Sequence, residues 1–471
     1  MNTLNALIKK NNIFFILAIT IFILDLCYSI KQYQAIKIDG DFAQIVLPSE
    51  WYGKVLKDPF GKLAIIDGER YQATNRFTAH FIMRTYFYNA PLFLQNFFSP
   101  IESLYLSVTI AKTIIHIAFL FLIAYYSSIL VGFNLRNLIL GIAISTPFLI
   151  NGGLYEYYLG FNDKAITYSM FYTLPLIWLM LYYLPIYKKV YLKNEQISVM
   201  TIIIYIPLTF LIVLSGPLVA PLILLINFTF FTISFFKIKA INKFKISNVQ
   251  IFYIIGFIFS LYSIYLGTFN VENDGCKLNV IERYNALFSG LYQILFMIKY
   301  GVLFLYVLII LNLFWLKKYN IPTRIYSILL VFFLISIMYL ALLPLGGCRD
   351  YRPYIIRRDT LLPILVILLF FITTTSLYLI KNKKYLFLII WFIFSFVFWK
   401  SDVFPYDYDS NILEKKNLVQ LSHSTDSCVL LNENFPVFSW NNYYDCNESY
   451  VSSQLIFHYK ITPRVILYKN K

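Results

Sequence analysis

Charge is scarce in this chain. Asp, Glu, Lys and Arg make up 14% of its 471 residues, where a soluble domain keeps about a quarter, so a water-exposed globule is excluded as the main architecture. Histidine is rarer still, with four residues in all, which leaves no room for a His-rich metal centre. No two cysteines stand in a C-x-x-C pair, so zinc-ribbon and thioredoxin-like redox sites are excluded as well. A phosphate-cradling glycine loop, an H-E-x-x-H helix and a G-x-S-x-G elbow are also missing. The chain has no visible internal repeat, which weighs against carriers built from duplicated halves.

What is present is apolar and aromatic: 59% of the residues are hydrophobic and 19% are Phe, Trp or Tyr. Successive apolar runs are each long enough to cross a hydrocarbon core of roughly 30 Å. The first, Ile13 to Ile30, follows Lys9 and Lys10 and has no small-x-small cleavage site, so it reads as a retained signal-anchor. Others lie near 104–126, 137–151, 166–186, 199–215, 217–236, 250–268, 291–315, 325–345, 360–380 and 385–400. The net charge of +16 invites a nucleic-acid reading, but the cations sit in short connections between apolar runs. Lys237, Lys239, Lys243 and Lys245 share one connection, and Lys381, Lys383 and Lys384 share another. That is the pattern of the positive-inside rule, and it makes membrane lipids the expected partner rather than nucleic acid.

The expected fold is therefore an all-α polytopic membrane protein of about eleven transmembrane helices. Its N-terminus would be cytoplasmic and its C-terminus external, and a bacterial inner membrane is the expected setting. Four parts follow: 1–30, the cytoplasmic end and first span; 31–103, a long first external loop; 104–400, the helix bundle; and 401–471, a small external α/β cap. The loop carries two amphipathic stretches suited to a membrane interface. Gln44 to Lys57 is one, and 76–89, stopped by Asn89-Ala90-Pro91, is the other. Ser99-Pro100-Ile101-Glu102 is a capping box that starts the second span. Cys276, Cys348, Cys428 and Cys446 fall in segments expected outside, where they can form two disulfides, with Cys428–Cys446 the expected pair.

Few groups can carry chemistry. Asp39-Gly40-Asp41 opens the external loop. In an extended segment its two carboxylates share a face, so they can hold a divalent cation or set a catalytic base beside an orienting partner. The competing reading is a solvated turn, because D-G is a common turn dipeptide. Arg349, Arg352, Arg357 and Arg358 form a cluster where orientation signals predict few cations, and guanidinium forks match phosphate oxygens. They can equally anchor a helix end in headgroups. Arg76, His80 and Arg84 recur on the polar face of the second amphipathic stretch and form a candidate site wall, although a histidine there is commonly just solvated. Lys112, within a span and four residues before His116, is either a lipid-phosphate ligand or the ion-pair partner of Asp25. The loop Gly152-Gly153-Leu154-Tyr155-Glu156 and Asp163 can line the same outer cavity.

The order of first span, acidic D-G-D, interfacial helices and helix bundle resembles the GT-C superfamily of polytopic membrane glycosyltransferases. The motif part of the resemblance covers roughly residues 1–130, with Asp39 and Asp41 in Lys37-Ile38-Asp39-Gly40-Asp41-Phe42 matching the acidic motif. The resemblance implies an inverting enzyme that moves a sugar from a polyprenyl-phosphate donor to a glycan, lipid or protein acceptor in the cell envelope. Asp39 would be the base, Asp41 would orient it or help hold a metal, and the external arginines would neutralise the leaving phosphate. Two other classes stay open: a polymerase or ligase acting on lipid-pyrophosphate glycans, and a lipid or glycan flippase or transporter.

Overall fold

The computed structural model describes residues 2–149, 164–192, 197–239, 247–296, 300–349, 352, 354–384, 391–393, 395–396 and 405–471. Apolar runs satisfy their backbone polar groups within helices, and helix dominates throughout. Among the described residues seven helices are long and apolar enough to cross a membrane. They are Phe15–Gln34, Pro100–Val131, Ile166–Lys189, Val219–Phe236, Asn248–Gly267, Thr323–Gly346 and Asp359–Lys381, and each coincides with an expected span. The runs expected at 137–151 and 199–215 form the shorter apolar helices Leu135–Phe148 and Val199–Val213. The run expected at 291–315 is shared by the helices Val280–Phe296 and Tyr300–Lys318. Most of 385–400 lies outside the described residues.

Burial separates centre from edge. In the Pro100–Val131 helix 67% of the most apolar window is buried, against 11% for Phe15–Gln34, so the former is the axis of the bundle and the latter lies on its flank. Helices approach closely where side chains are small: a Cβ on Gly141 would come within 3.0 Å of the Ala124 Cβ. Hydroxyl and amide groups bridge the apolar interior. The Thr375 hydroxyl donates to Asn312 Oδ1 at 2.6 Å, and that of Thr374 to Ser127 Oγ at 3.1 Å. Such bonds take the place of the hydrophobic drive that lipid-solvated helices lack.

The first loop departs from expectation at two prolines. The single helix expected over Gln44–Lys57 is two, Phe42–Val46 and Glu50–Lys57, with Pro48 between them supplying no amide to continue the first. Pro91, expected to end the next helix, instead lies inside Phe77–Leu94. Its missing N–H leaves the Phe87 carbonyl without its helical donor, and the Tyr459 hydroxyl supplies one at 2.8 Å. The helix continues because the C-terminal segment completes it. His458 Nε2 meets the Tyr88 carbonyl at 3.1 Å, and the His458 and Tyr88 rings stack with centroids 4.1 Å apart. The capping box is formed as expected, with Ser99 and Glu102 exchanging bonds at the start of Pro100–Val131.

The C-terminal segment contains the helices Pro405–His423 and Tyr450–His458 and the strands Cys428–Leu430 and Leu467–Lys469. The strands pair in parallel, with Cys428 opposite Leu467. Two disulfides are present, Cys428–Cys446 and Cys276–Cys348. The second closes a stretch of 72 residues and ties the loop after the Asn248–Gly267 helix to the glycine-rich turn after Thr323–Leu342. We expect Cys276→Ala to lower stability by about 2–4 kcal/mol, read as a lower thermal midpoint in detergent. A midpoint that neither the substitution nor a reductant moves would show that this bridge does not hold the two loops.

Candidate functional site

The D-G-D segment is a turn rather than the extended piece that would put both carboxylates on one face: the Phe42 amide donates to the Asp39 carbonyl at 3.2 Å, and Asp41 caps the Phe42–Val46 helix. The two carboxylates do different things. Asp39 is buried. Thr167 donates to it twice, from its amide to Oδ2 at 3.0 Å and from its hydroxyl to Oδ1 at 2.6 Å. Thr167 lies in the first turn of the span that begins at Ile166, so the carboxylate sits where orphan amides and the positive end of the helix dipole favour an anion. Asp39 Oδ1 also accepts the amide of Asp41 at 3.2 Å. Asp39 thereby ties the loop to the bundle and fixes the direction of its neighbour.

Asp41 lines a cavity of about 460 Å³. Burial raises its pKa to about 6, the nearby Asp39 and Glu272 add to the rise, and a hydrogen bond from the Trp440 side chain and the charge of Arg357 oppose it. Gly40 lets this happen, because a Cβ there would lie 2.4 Å from the Trp440 backbone nitrogen. The segment expected to be a separate cap is therefore in contact with the acidic motif.

The arginine cluster divides. Arg349 and Arg352 line the cavity together with Asp41 and Arg76. Arg349 forms an ion pair with Glu272 at 2.9 Å and donates to Asn273 Oδ1 at 2.8 Å, while Arg76 stands 3.5 Å from the same Glu272 carboxylate. Burial pushes the Glu272 pKa up, but Arg76 and Arg349 outweigh it and hold the group below the usual carboxylate range. Arg352 pairs with the buried Asp359 at 2.8 Å and reaches the Tyr172 hydroxyl at 3.2 Å. Arg357 also bonds Asp359, from Nε at 3.1 Å, and lies over the Tyr168 ring, away from the cavity lining. The side chain of Arg358, Asp350, and the loop from Gly152 to Asp163 lie outside the described residues.

His80 is not solvated. It is 1% exposed, lies between the rings of Tyr52 and Phe171, and lines the cavity. Its Nδ1 has no hydrogen-bond partner among the described residues. Burial first, and Arg76 second, push its pKa down to about 3, so the imidazole is neutral and can donate or accept according to tautomer. Arg84, one turn on, lies over the Tyr88 ring and does not line the cavity. Lys112 is buried behind the motif, donating to the Lys164 carbonyl at 3.2 Å and to Ser169 Oγ at 3.3 Å, and it too is absent from the lining.

Toward a divalent cation the motif offers two carboxylates and no preformed cage. Both Asp39 oxygens already accept hydrogen bonds, and among the described residues no group of three or more His, Cys, Asp or Glu converges. The sequence reading also missed Glu272, Thr167 and Trp440. Glu272 was within reach: pairing Cys428 with Cys446 leaves Cys276 for Cys348, which brings residues four before Cys276 beside Arg349. Thr167 and Trp440 carry no such signal.

Gly40→Ala is expected to cost about 1–3 kcal/mol through overpacking against Trp440. The substitution should lower the thermal midpoint while membrane insertion persists; an unchanged midpoint would mean that the motif does not pack there. No family model, curated protein or solved structure matches the chain.

Proposed function

We propose that the chain is a membrane glycosyltransferase of the GT-C type, transferring a sugar from a polyprenyl-phosphate donor to an acceptor hydroxyl at the outer face of the membrane. The observation that carries this reading is a single cavity in which Asp41 and His80 stand with Arg76, Arg349 and Arg352. A second cavity, of about 280 Å³, supports it. That cavity is almost wholly apolar and lies further along the same helices, lined by Leu176, Ile226, Ile335 and Phe370 among others. A polar end for a sugar phosphate above an apolar trough for a hydrocarbon tail is the division of surface that such a donor requires.

In this reading the chain crosses the membrane about eleven times: the seven long helices, the shorter Leu135–Phe148 and Val199–Val213, and the apolar runs at 291–315 and 385–400. The N-terminus is cytoplasmic, and the C-terminal segment is the external cap. The exposed Phe81 and Phe93 of the Phe77–Leu94 helix lie at headgroup depth. Bacterial inner membrane is the setting that fits a lipid-linked sugar presented at the outer face.

Asp41, rather than the buried Asp39, is the base. It takes the proton of the acceptor hydroxyl as that oxygen attacks the anomeric carbon. The bond from that carbon to the phosphate oxygen breaks, and the phosphate leaves with its electron pair and its negative charge. Arg349 and Arg352 face the charge as it grows. The anomeric centre inverts, and no acid is needed on the leaving-group side. His80, being neutral, contributes a hydrogen bond without competing for the phosphate's counter-charge.

Three outcomes test this with a synthetic polyprenyl-phosphate sugar and purified protein. Asp41→Asn should cost on the order of 10²–10⁴ in rate, with insertion unchanged; a fully active variant would remove Asp41 from the mechanism. The base must be ionised, so the rate should fall as pH drops through about 6, the raised Asp41 value, and a flat profile below neutrality would contradict the assignment. Arg349→Lys and Arg352→Lys should both impair transfer, because an ammonium cannot make the two-pronged contact. If lysine serves equally at both, the arginines only anchor helix ends.

A further inference from the structure

Glu414, on the helix Pro405–His423, is fully buried, and its carboxylate collects hydrogen bonds from three separate parts of the chain. The Ile38 amide donates to Oε2 at 2.8 Å, the Tyr105 hydroxyl donates to the same oxygen at 2.7 Å, and the Phe438 amide donates to Oε1 at 3.1 Å. Ile38 adjoins the acidic motif, Tyr105 belongs to the axial Pro100–Val131 helix, and Phe438 stands two residues before Trp440. All three partners are donors, so a carboxylate suits the position and an amide would have to turn an N–H toward one of them.

Further contacts follow the same strand of chain. The Asn411 side chain donates to the Ile36 carbonyl at 2.9 Å. Lys37 lies over the rings of Phe435 at 5.1 Å and Trp440 at 6.0 Å. Gly40 abuts the Trp440 backbone and ring, and the Trp440 side chain works to lower the Asp41 pKa. From Ile36 to Asp41 the loop is held by the C-terminal segment.

We infer that Glu414 and Trp440 are positioning residues for the Asp41 carboxylate, which makes the C-terminal cap a brace for the site. Trp440 acts directly: its backbone and ring lie against Gly40, and an indole N–H turned to the neighbouring carboxylate favours its ionised form. Glu414 acts through the Ile38 and Phe438 amides, which set the two arms that meet at Asp41. The other charged groups facing Asp41 are Asp39, Glu272 and Arg357. The inference concerns the direction and acidity of Asp41; it bears on catalysis only through the proposed role of that residue as base.

The test uses the full chain in detergent and needs no transferase activity, so its failure is distinct from failure of the proposed reaction. A carbodiimide with a small amine labels the neutral carboxyl, and mass spectrometry reads labelling at Asp41 across about pH 4–8. Trp440→Phe keeps one aromatic ring on a half-exposed position and removes the N–H together with the indole's second ring. It should raise the labelling midpoint by about half a unit or more, a change that lost packing alone would not produce. In folded Glu414→Gln, hydrogen exchange over residues 36–42 should rise about tenfold. An unmoved midpoint in Trp440→Phe overturns the inference, as does unchanged exchange in Glu414→Gln. If the Gln variant does not fold, the Trp440→Phe midpoint decides alone.

Discussion

Asp359 is 4% exposed, and two guanidinium groups, those of Arg352 and Arg357, converge on it. An unpaired charge at that depth would cost several kcal/mol, so the carboxylate fixes both arginines, of which Arg352 forms part of the cavity floor. Glu272 repeats the arrangement elsewhere in the cavity lining with Arg76 and Arg349. Each acid takes up part of the positive charge and leaves the remaining guanidinium edges directed by geometry. The ions in the cavity lining are paired in a way that holds them still, and that pre-organisation is what binding a phosphate-bearing ligand demands.

Four distant parts of the chain meet around this floor. The D-G-D segment arrives from the first loop, clamped by Thr167. Arg349 arrives on a turn stapled to the Glu272 loop by Cys276–Cys348. His80 arrives on a helix that runs through Pro91 because Tyr459 supplies its missing donor. Trp440 arrives from the C-terminal segment. Each contact is individually modest, but together they leave Asp41 little freedom, and they explain why so irregular a loop holds one conformation beside an apolar bundle.

The membrane character was legible because it is written in composition and in long runs, and seven of the expected spans appear at their expected places. The capping box at Ser99 was legible because its spacing is local. The division of labour between Asp39 and Asp41 was not. One residue apart, they look alike in sequence, and only Thr167, 128 positions on, separates a buried anchor from a cavity carboxylate. Pro91 misled for a related reason: a proline breaks a helix only if its lost bond stays lost, and the compensating hydroxyl lies 372 residues away. His80 likewise reads as solvated until Tyr52 and Phe171 close over it.

In the proposed function the ion-lined cavity and the apolar trough further along the same helices form one site for a lipid that ends in a phosphate. Native mass spectrometry of the purified chain with a polyprenyl phosphate and with the matching polyprenol, identical but for the phosphate, tests it most directly. We expect the phosphate to be retained at least tenfold better, about 1.4 kcal/mol, and loss of Arg349 and Arg352 together to erase the difference. Equal retention of the alcohol and the phosphate by the unaltered chain would contradict it.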